Sequence, residues 1–369
     1  MKSILIITKA FFPEISPRSF RATELAKEFA RQGHRVEVYL PQKRDGHLKI
    51  EKDYNITLKA YGPLTWKPLV IKGGRIRRLL SKIIQRSATW LFEYPDIEIV
   101  KRLPKIINIE KHYDIIISIA APHSIHWAVS RALKKNKNLS RLWVADCGDP
   151  YMGAILETFK KPFYFKYMEK DFCLNADFIT VPTEGAKEAY YPEFRHKIRV
   201  IPQGFNFEEV ITCKEEPCNP VPTFAYAGSL AFKGMRNPER LLHYLSKKDS
   251  AFRFHIYSNS SLNVIHKYRE TLGNKVIVHR GKERIPLLYE LSKMDFLINF
   301  DNGTERQLPS KLIDYALTGR PILNIHPLNP NIELANQFLK KNYEAQYAVN
   351  NLERYNIKNV VFQFMTLKR

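Results

Sequence analysis

Short apolar runs alternate with longer stretches in which apolar residues recur every three or four positions, from one end of the chain to the other. The runs Ser3–Ile7, Arg35–Leu40, Asp114–Ile119, Leu142–Ala145, Phe178–Val181 and Ile198–Ile201 read as buried strands. A second series follows at Phe224–Ala227, Phe252–Tyr257, Val276–His279, Phe296–Phe300 and Ile322–Ile325. Helical spacing fills most of the intervals. In the first of them Ala22, Leu25, Ala26 and Phe29 make one apolar face, and Gly33 ends it. Strands alternating with helices imply an α/β fold with parallel, doubly wound sheets. Between the two series, residues 206–222 are acidic, contain prolines and lack an apolar period. The expected order is a Rossmann-like domain over 1–205, a linker over 206–222 and a second Rossmann-like domain over 223–350. A terminal helix over 351–369 is then available to pack back on the first domain.

The most informative stretch is Phe296–Leu323, FLINFDNGTERQLPSKLIDYALTGRPIL. It predicts a strand, a polar loop, a helix from Ser310 that stops at Gly319, and a second strand. In such a unit the ligand side is the loop leaving the strand's carboxyl end. That loop brings Gln307, Ser310 and Lys311 to a helix amino terminus, where unpaired N–H groups favour an anion. Asp314, one turn on, is placed to accept hydrogen bonds from hydroxyls. A phosphate grip beside a hydroxyl acceptor suits a nucleotide-linked ligand; a plain capped helix would leave the same pattern.

The second series opens the same way. Phe224–Ala227 is followed by Gly228 and Ser229, then by Lys233 and Arg236 before a helix. Glycine directly after a strand allows close approach of a ligand, and the two cations with Lys311 would surround a diphosphate. The loop after the first strand, Thr8–Ser19, has no glycine, so any anion contact there falls to the side chains of Ser16, Arg18, Ser19 and Arg21. His123, after Asp114–Ile119, is a candidate catalytic hydrogen-bonding group, with His126 expected to face its own helix. Asp146 and Asp149, after Leu142–Ala145, either bind an acceptor hydroxyl or cap the next element. No Asp-x-Asp metal motif stands at a strand end, Asp146 and Asp149 have the wrong spacing for one, and none of these motifs calls for a cofactor.

Charge changes the picture. Fifty-nine basic and 37 acidic residues leave +22, which points to an anionic partner. Residues 1–205 carry 36 basic and 21 acidic side chains, and residues 206–369 carry 23 and 16. The densest block, Lys67–Phe92, has seven basic residues and no acidic one. Within it Ile76, Leu79, Leu80, Ile83 and Ile84 share one side of a helix, with Arg75, Arg77, Arg78, Lys82 and Arg86 on the remainder and Trp66, Trp90 and Phe92 flanking. A cationic amphipathic helix of this kind fits an anionic membrane surface; a core-packed helix with a solvated basic face is the alternative. Nucleic acid is not an expected partner, since no reading helix or stacking-strand motif accompanies the charge. The opening apolar run is too short for a signal-peptide core, and no run reaches a membrane span. With Cys147, Cys173, Cys213 and Cys218 read as free thiols, the expected location is cytoplasmic.

Four segments resemble a known family: ILIITKAFFPEISPRSFRATELAKEFARQGHRVEVYLP, ADFITVPTEGAKEAYYPEFRHKIRVIPQGFN, AYAGSLAFKGMRNPE and QLPSKLIDYALTGRPIL. They are similar to the GT-B glycosyltransferases, and within them to the retaining family 4 enzymes. The resemblance implies two Rossmann-like domains facing each other across a cleft, a nucleoside-diphosphate sugar held mainly by the second and an acceptor bound mainly by the first. It implies no metal dependence. By motif, Lys233 corresponds to a diphosphate contact, Asp314 to the acid that binds the ribose, and His123 to a histidine near the reacting sugar. The chain departs from the pattern in its glycine-free first loop, in Ser229 where an arginine often stands, and in Arg306 in place of the first of two acids. With the basic helix, the resemblance implies a lipid-linked saccharide acceptor in capsule, O-antigen or exopolysaccharide synthesis, by an enzyme peripheral to the inner face of the plasma membrane. A nucleotide-sugar-binding protein with a degenerate site, or a nucleotide-sugar epimerase of the same architecture, are the readings left open.

Overall fold

The computed structural model describes residues 1–69, 73–107, 111–153, 160–231, 234–260, 263–301 and 310–369. It divides into two compact units, Met1–Phe205 with Ile357–Arg369, and Asn206–Asn356. The first holds a seven-stranded sheet of β1 (Ser3–Thr8), β2 (Arg35–Leu40), β3 (Ile56–Ala60), β4 (Tyr113–Ile119), β5 (Ser140–Asp146), β6 (Phe178–Val181) and β7 (Ile198–Val200), in the order β3-β2-β1-β4-β5-β6-β7. The second holds a five-stranded sheet of β8 (Thr223–Ala227), β9 (Arg253–Tyr257), β10 (Val276–His279), β11 (Phe296–Phe300) and β12 (Ile322–Ile325), in the order β10-β9-β8-β11-β12. All pairings are parallel. Each sheet begins in its middle and reverses direction, between β1 and β4 and between β8 and β11, which is where α/β sheets open a crevice.

Every expected strand is present, and β3 is an addition. It lies at the sheet edge, where one face meets solvent, so Ile56 and Leu58 are buried and Thr57 between them is exposed. Alternation over five residues leaves no apolar run to detect. Residues 206–222 are grouped with the second unit and bonded to it: the Cys213 N–H donates to Ser292 Oγ at 2.8 Å and Asn219 Nδ2 to the Lys293 carbonyl at 3.1 Å. The terminal helix spans Ile357–Met365 and belongs to the first unit, while residues 351–356 stay with the second.

Alternate side chains of β1 serve the two layers of the first unit. Ile4 and Ile6 meet Ala22, Leu25, Ala26 and Phe29 of the helix Pro17–Arg31, together with Val360, Val361 and Phe364 of the terminal helix. Leu5 and Ile7 face the opposite layer, built on Trp127, Trp143, Phe165 and Phe172. The terminal helix also moves charge. Its segment adds Lys358, Lys368 and Arg369 to the 36 basic residues of 1–205 and no acid, so the first unit carries 39 basic and 21 acidic residues. The net +22 divides into +18 and +4.

Two polar contacts hold the strand ends. Asp146, the last residue of β5, is buried and accepts Arg21 Nε at 3.1 Å, Arg21 Nη2 at 2.8 Å and Thr180 Oγ1 at 2.6 Å. Arg21 also donates to the carbonyls of Ile201 (3.3 Å) and Pro202, so one guanidinium ties the first helix to β5 and to the chain after β7. In the second unit β8 and β11 pair only at Phe224–Phe296 and Ala225–Leu297. Beyond that the strands part, and the Tyr315 hydroxyl accepts the Ala227 N–H at 2.8 Å and reaches the Ala227 carbonyl at 3.3 Å.

Replacing Asp146 by asparagine strands a buried guanidinium, and unfolding by urea at pH 7 should show a loss of about 3 kcal/mol. Burial opposes the Asp146 charge, but Arg21 outweighs it and the carboxyl is held below its usual range. A depressed carboxylate stabilises the fold above its unfolded pKa and loses that contribution as pH falls through the folded one. The gap between D146N and wild type should therefore close in acid. Y315F removes the partner of the buried Ala227 N–H, and its melting temperature should fall by an amount matching about 1–2 kcal/mol.

Candidate functional site

The reversal in the first sheet gathers His123, Arg18, Asp146 and Asp149. His123 immediately precedes the helix Ser124–Lys135, after β4, and its ring is buried. It packs on Tyr151 at 4.8 Å and on His126 at 5.6 Å between centroids. Burial first, then the neighbouring His126 and Lys161, holds its pKa well below the ordinary histidine value, so the ring is neutral near pH 7. The ring hydrogen-bonds the Asp149 backbone, and Nε2 is buried with no partner among the described residues. A neutral ring that donates from its other nitrogen presents Nε2 as a lone pair able to accept a hydrogen bond from a hydroxyl. Asp149 has an exposed side chain beside it. Arg18 reaches Asp146 at 3.8 Å, and its guanidinium lies where a Cβ on Gly148 would stand, 2.2–2.6 Å from that point. Glycine at 148 is what admits it.

Three expectations change here. Ser16 is the cap of the first helix, accepting the Ser19 N–H at 3.2 Å and donating to Glu14 at 3.1 Å, which uses the hydroxyl expected to meet an anion. Arg21 and Asp146 are consumed by each other, so Asp146 is a structural carboxylate rather than an acceptor-hydroxyl ligand. His126 faces the sheet, not its own helix: Nδ1 meets Ser118 Oγ at 2.8 Å and Nε2 meets Cys147 Sγ at 3.3 Å. Burial lowers its pKa to about 3. All four cysteines are free.

In the second unit the reversal gathers Gly228, Ser229, Arg236, Lys311 and Asp314. Gly228 has φ +146, a conformation that favours glycine, and the Tyr226 hydroxyl folds under the turn to donate to the Ser229 carbonyl at 2.8 Å. Lys311, in the first turn of the helix Ser310–Leu317, carries its ammonium 4.3 Å from the centre of the Tyr226 ring. Burial, with Arg236 adding to it, lowers the Lys311 pKa to about 7. Arg236 lies near enough to bear on the charge of Lys311 and on Tyr226, and no carboxylate is bonded to Lys311 among the described residues. Asp314 accepts Arg284 Nε at 2.8 Å; burial raises its pKa against the pull of Arg284. Ser310 opens the helix, while Lys233 and Gln307 lie outside the described residues, as does Arg306.

Tyr226, Tyr315 and Arg284 were not foreseen. Tyr315 sits four residues after Lys311 on the same helix face, a spacing that could have flagged it. Arg284 comes from another helix, Arg284–Leu291, and nothing local to Asp314 points to it.

The basic helix spans Arg75–Phe92 and is mounted with its apolar stripe outward. Ile76 is 75% exposed, Leu79 59% and Ile83 52%. On its other face it bonds to the segments that flank it: Ser81 Oγ donates to the Leu69 carbonyl at 2.9 Å, Gln85 Oε1 accepts the Leu69 N–H at 2.6 Å, and Thr89 Oγ1 donates to the Tyr94 carbonyl at 2.9 Å. Positions 81, 85 and 89 share one face, opposite the stripe. Arg75, Arg77, Arg78, Lys82 and Arg86 are all exposed. The core-packed alternative is therefore overturned. Among the described residues no helix is long and apolar enough to cross a membrane.

Comparison with solved structures finds the same fold along nearly the whole chain. A glycosyltransferase from Rickettsia africae superposes with TM-score 0.65 at 14% identity, over 99% of this chain and 97% of that one. Anabaena HepE, solved in complex with UDP, gives 0.62 at 13% identity over 99% and 98%. WaaB, a lipopolysaccharide outer core galactosyltransferase, gives 0.60 at 14% identity over 98% of each. No curated protein sequence matches. Residues 20–209, more than half of the 369, match the model of one family, and on that match the chain belongs to Glycosyltransferase Family 4.

Proposed function

We propose that this protein moves a sugar from a nucleoside-diphosphate sugar to a hydroxyl of a lipid-linked saccharide, at the cytoplasmic face of the plasma membrane, during assembly of a surface polysaccharide. The observation that carries the reading is the cation pair of the second unit. Lys311 lies over the Tyr226 ring in the first turn of the helix Ser310–Leu317, and Arg236 is near enough to bear on its charge. Together they match a diphosphate, whose charge grows as it leaves. Their charge would serve in place of a metal. Asp314, oriented by Arg284, is the acceptor for a ribose hydroxyl. UDP in the HepE structure supports the donor class, and the lipopolysaccharide description of WaaB supports a lipid-carried acceptor.

In the transfer, the bond from the anomeric carbon to the diphosphate oxygen breaks and one to the acceptor oxygen forms, with the hydroxyl proton passing to the departing diphosphate. His123 Nε2 accepts a hydrogen bond from a sugar hydroxyl, and Asp149, exposed beside it, is the carboxylate assigned to the acceptor. The proposal includes retention of configuration, on the resemblance to the retaining enzymes. The outward stripe of Arg75–Phe92 and its five cations hold the protein to anionic lipid, each basic residue contributing about 1 kcal/mol near such a surface.

Calorimetry with UDP tests the donor site. K311M should bind at least about tenfold more weakly, the loss expected for a charge-assisted contact. Because the diphosphate contact needs the ammonium, wild-type affinity should fall as pH rises from about 7 to about 9, whereas K311R should stay flat. Failure of UDP-, GDP- and dTDP-sugars alike to bind would end the proposal. Saturable binding without turnover, acceptor supplied, would instead mark a binding protein, and donor consumed without acceptor an epimerase. Separately, glutamine at Arg75, Arg77, Arg78 and Lys82 should release the protein from phosphatidylglycerol vesicles, measured by co-sedimentation; unchanged partitioning discards the membrane part.

A further inference from the structure

Next to the carboxyl end of the outward helix, the segment 160–167, KKPFYFKY, forms a second exposed apolar and cationic corner. Phe163 is 71% exposed and Tyr167 61%. Between them Phe165 is buried, stacked on Trp127 at 5.6 Å and edge-on to Tyr151 at 5.4 Å. Phe165 thus anchors the corner in the core while its neighbours point away from it. The corner is also tied to the helix. Trp90 Nε1 donates to the Lys160 carbonyl at 2.9 Å, the Tyr164 hydroxyl donates to the Leu91 carbonyl, and Lys161 Nζ pairs with Glu93 at 2.8 Å. Phe92 and Trp90, both exposed, lie on the helix end to which the corner is bonded.

We propose that Phe163 and Tyr167, with Lys160 and Lys166, are a second lipid anchor, which together with the helix Arg75–Phe92 forms one docking face for an anionic bilayer surface. The inference rests on the membrane reading above and adds to it the place and chemistry of a second contact. Charge selects the occupant. From Lys67 to Phe92 there is no acid, and the corner brings further lysines beside aromatic rings, one of them, Lys166 Nζ, 5.0 Å from the Tyr167 ring centre. Aromatic rings among cations sit at the headgroup level of a bilayer, apolar body inward and polar edge to water. A neutral protein partner would have no use for so unbalanced a rim. A lone amphipathic helix also leaves the protein free to roll about the helix axis. An aromatic anchor bonded to one end of that helix removes this freedom and fixes which side of the first unit faces lipid.

The test uses the full chain with phosphatidylcholine vesicles, with and without phosphatidylglycerol. F163S/Y167S should lower partitioning onto the anionic vesicles about tenfold, the loss expected when two interfacial rings are removed. The aromatic-for-aromatic variant F163W/Y167F should restore it. Both variants should keep wild-type melting temperature and UDP affinity, since neither side chain is in the core or at the cation pair. If F163S/Y167S partitions like wild type while the helix quartet variant is released, the second anchor is wrong and the membrane reading stands. If neither substitution affects partitioning, both fall. If F163S/Y167S alters sedimentation of the free protein without altering vesicle binding, the corner is an interface between copies of the chain, and the proposal is overturned.

Discussion

Parallel strands need long crossovers, and crossovers of one hand leave a sheet that starts in its middle with two departures running opposite ways. Above the first strand and its later neighbour there is then no covering segment. Both sheets here obey that constraint, and both candidate sites follow from it. Between β8 and β11 the gap is visible in the pairing itself: two residue pairs form a ladder, after which the Tyr315 hydroxyl takes over as partner of Ala227. The same helix that lends Tyr315 carries Lys311 one turn nearer the strand ends. In the first unit His123 follows β4, Arg18 lies over Gly148 after β5, and the buried Arg21–Asp146 pair ties the first helix to the end of β5.

The ionisable groups at the two gaps are held in different ways. Arg21 and Asp146 satisfy each other through two donors, with Thr180 as a third, so both charges are paired within the fold. Lys311 is buried against an aromatic face, and burial, with Arg236 adding to it, makes its ammonium easy to deprotonate. His123 is neutral with one nitrogen unpartnered among the described residues. Under-satisfied groups at the open end of a strand are where a ligand would gain most, because it supplies the partner that the fold withholds.

The helix Arg75–Phe92 follows the opposite logic to every other amphipathic helix described in the first unit. The helix Pro17–Arg31 buries Ala22, Leu25, Ala26 and Phe29, whereas Arg75–Phe92 buries only Ser81 and attaches through hydroxyl and amide groups. An apolar stripe turned outward costs free energy in water, and an exposed apolar patch of this kind marks an interaction surface. The +18 of the first unit against +4 in the second puts most of the net positive charge in the same unit as the stripe.

Strand positions, the α/β class and the helix boundaries at Gly33 and Gly319 were legible in the sequence, because apolar period and glycine conformation are local properties. Gly33 and Gly319 do adopt left-handed φ, +78 and +71. The sequence also placed His123, Gly228 and Lys311 at strand ends, since a motif next to a predicted strand inherits its position. It could not tell that Asp146 belongs to Arg21, 125 residues earlier, or that Asp314 belongs to Arg284, 30 residues earlier. Both carboxylates look alike in one dimension. Nor could it orient Arg75–Phe92, whose hydrophobic period is the same whether the stripe faces a core or the outside. Periodicity states that a helix has two faces; only the packing around Ser81, Gln85 and Thr89 decides which of them the protein keeps.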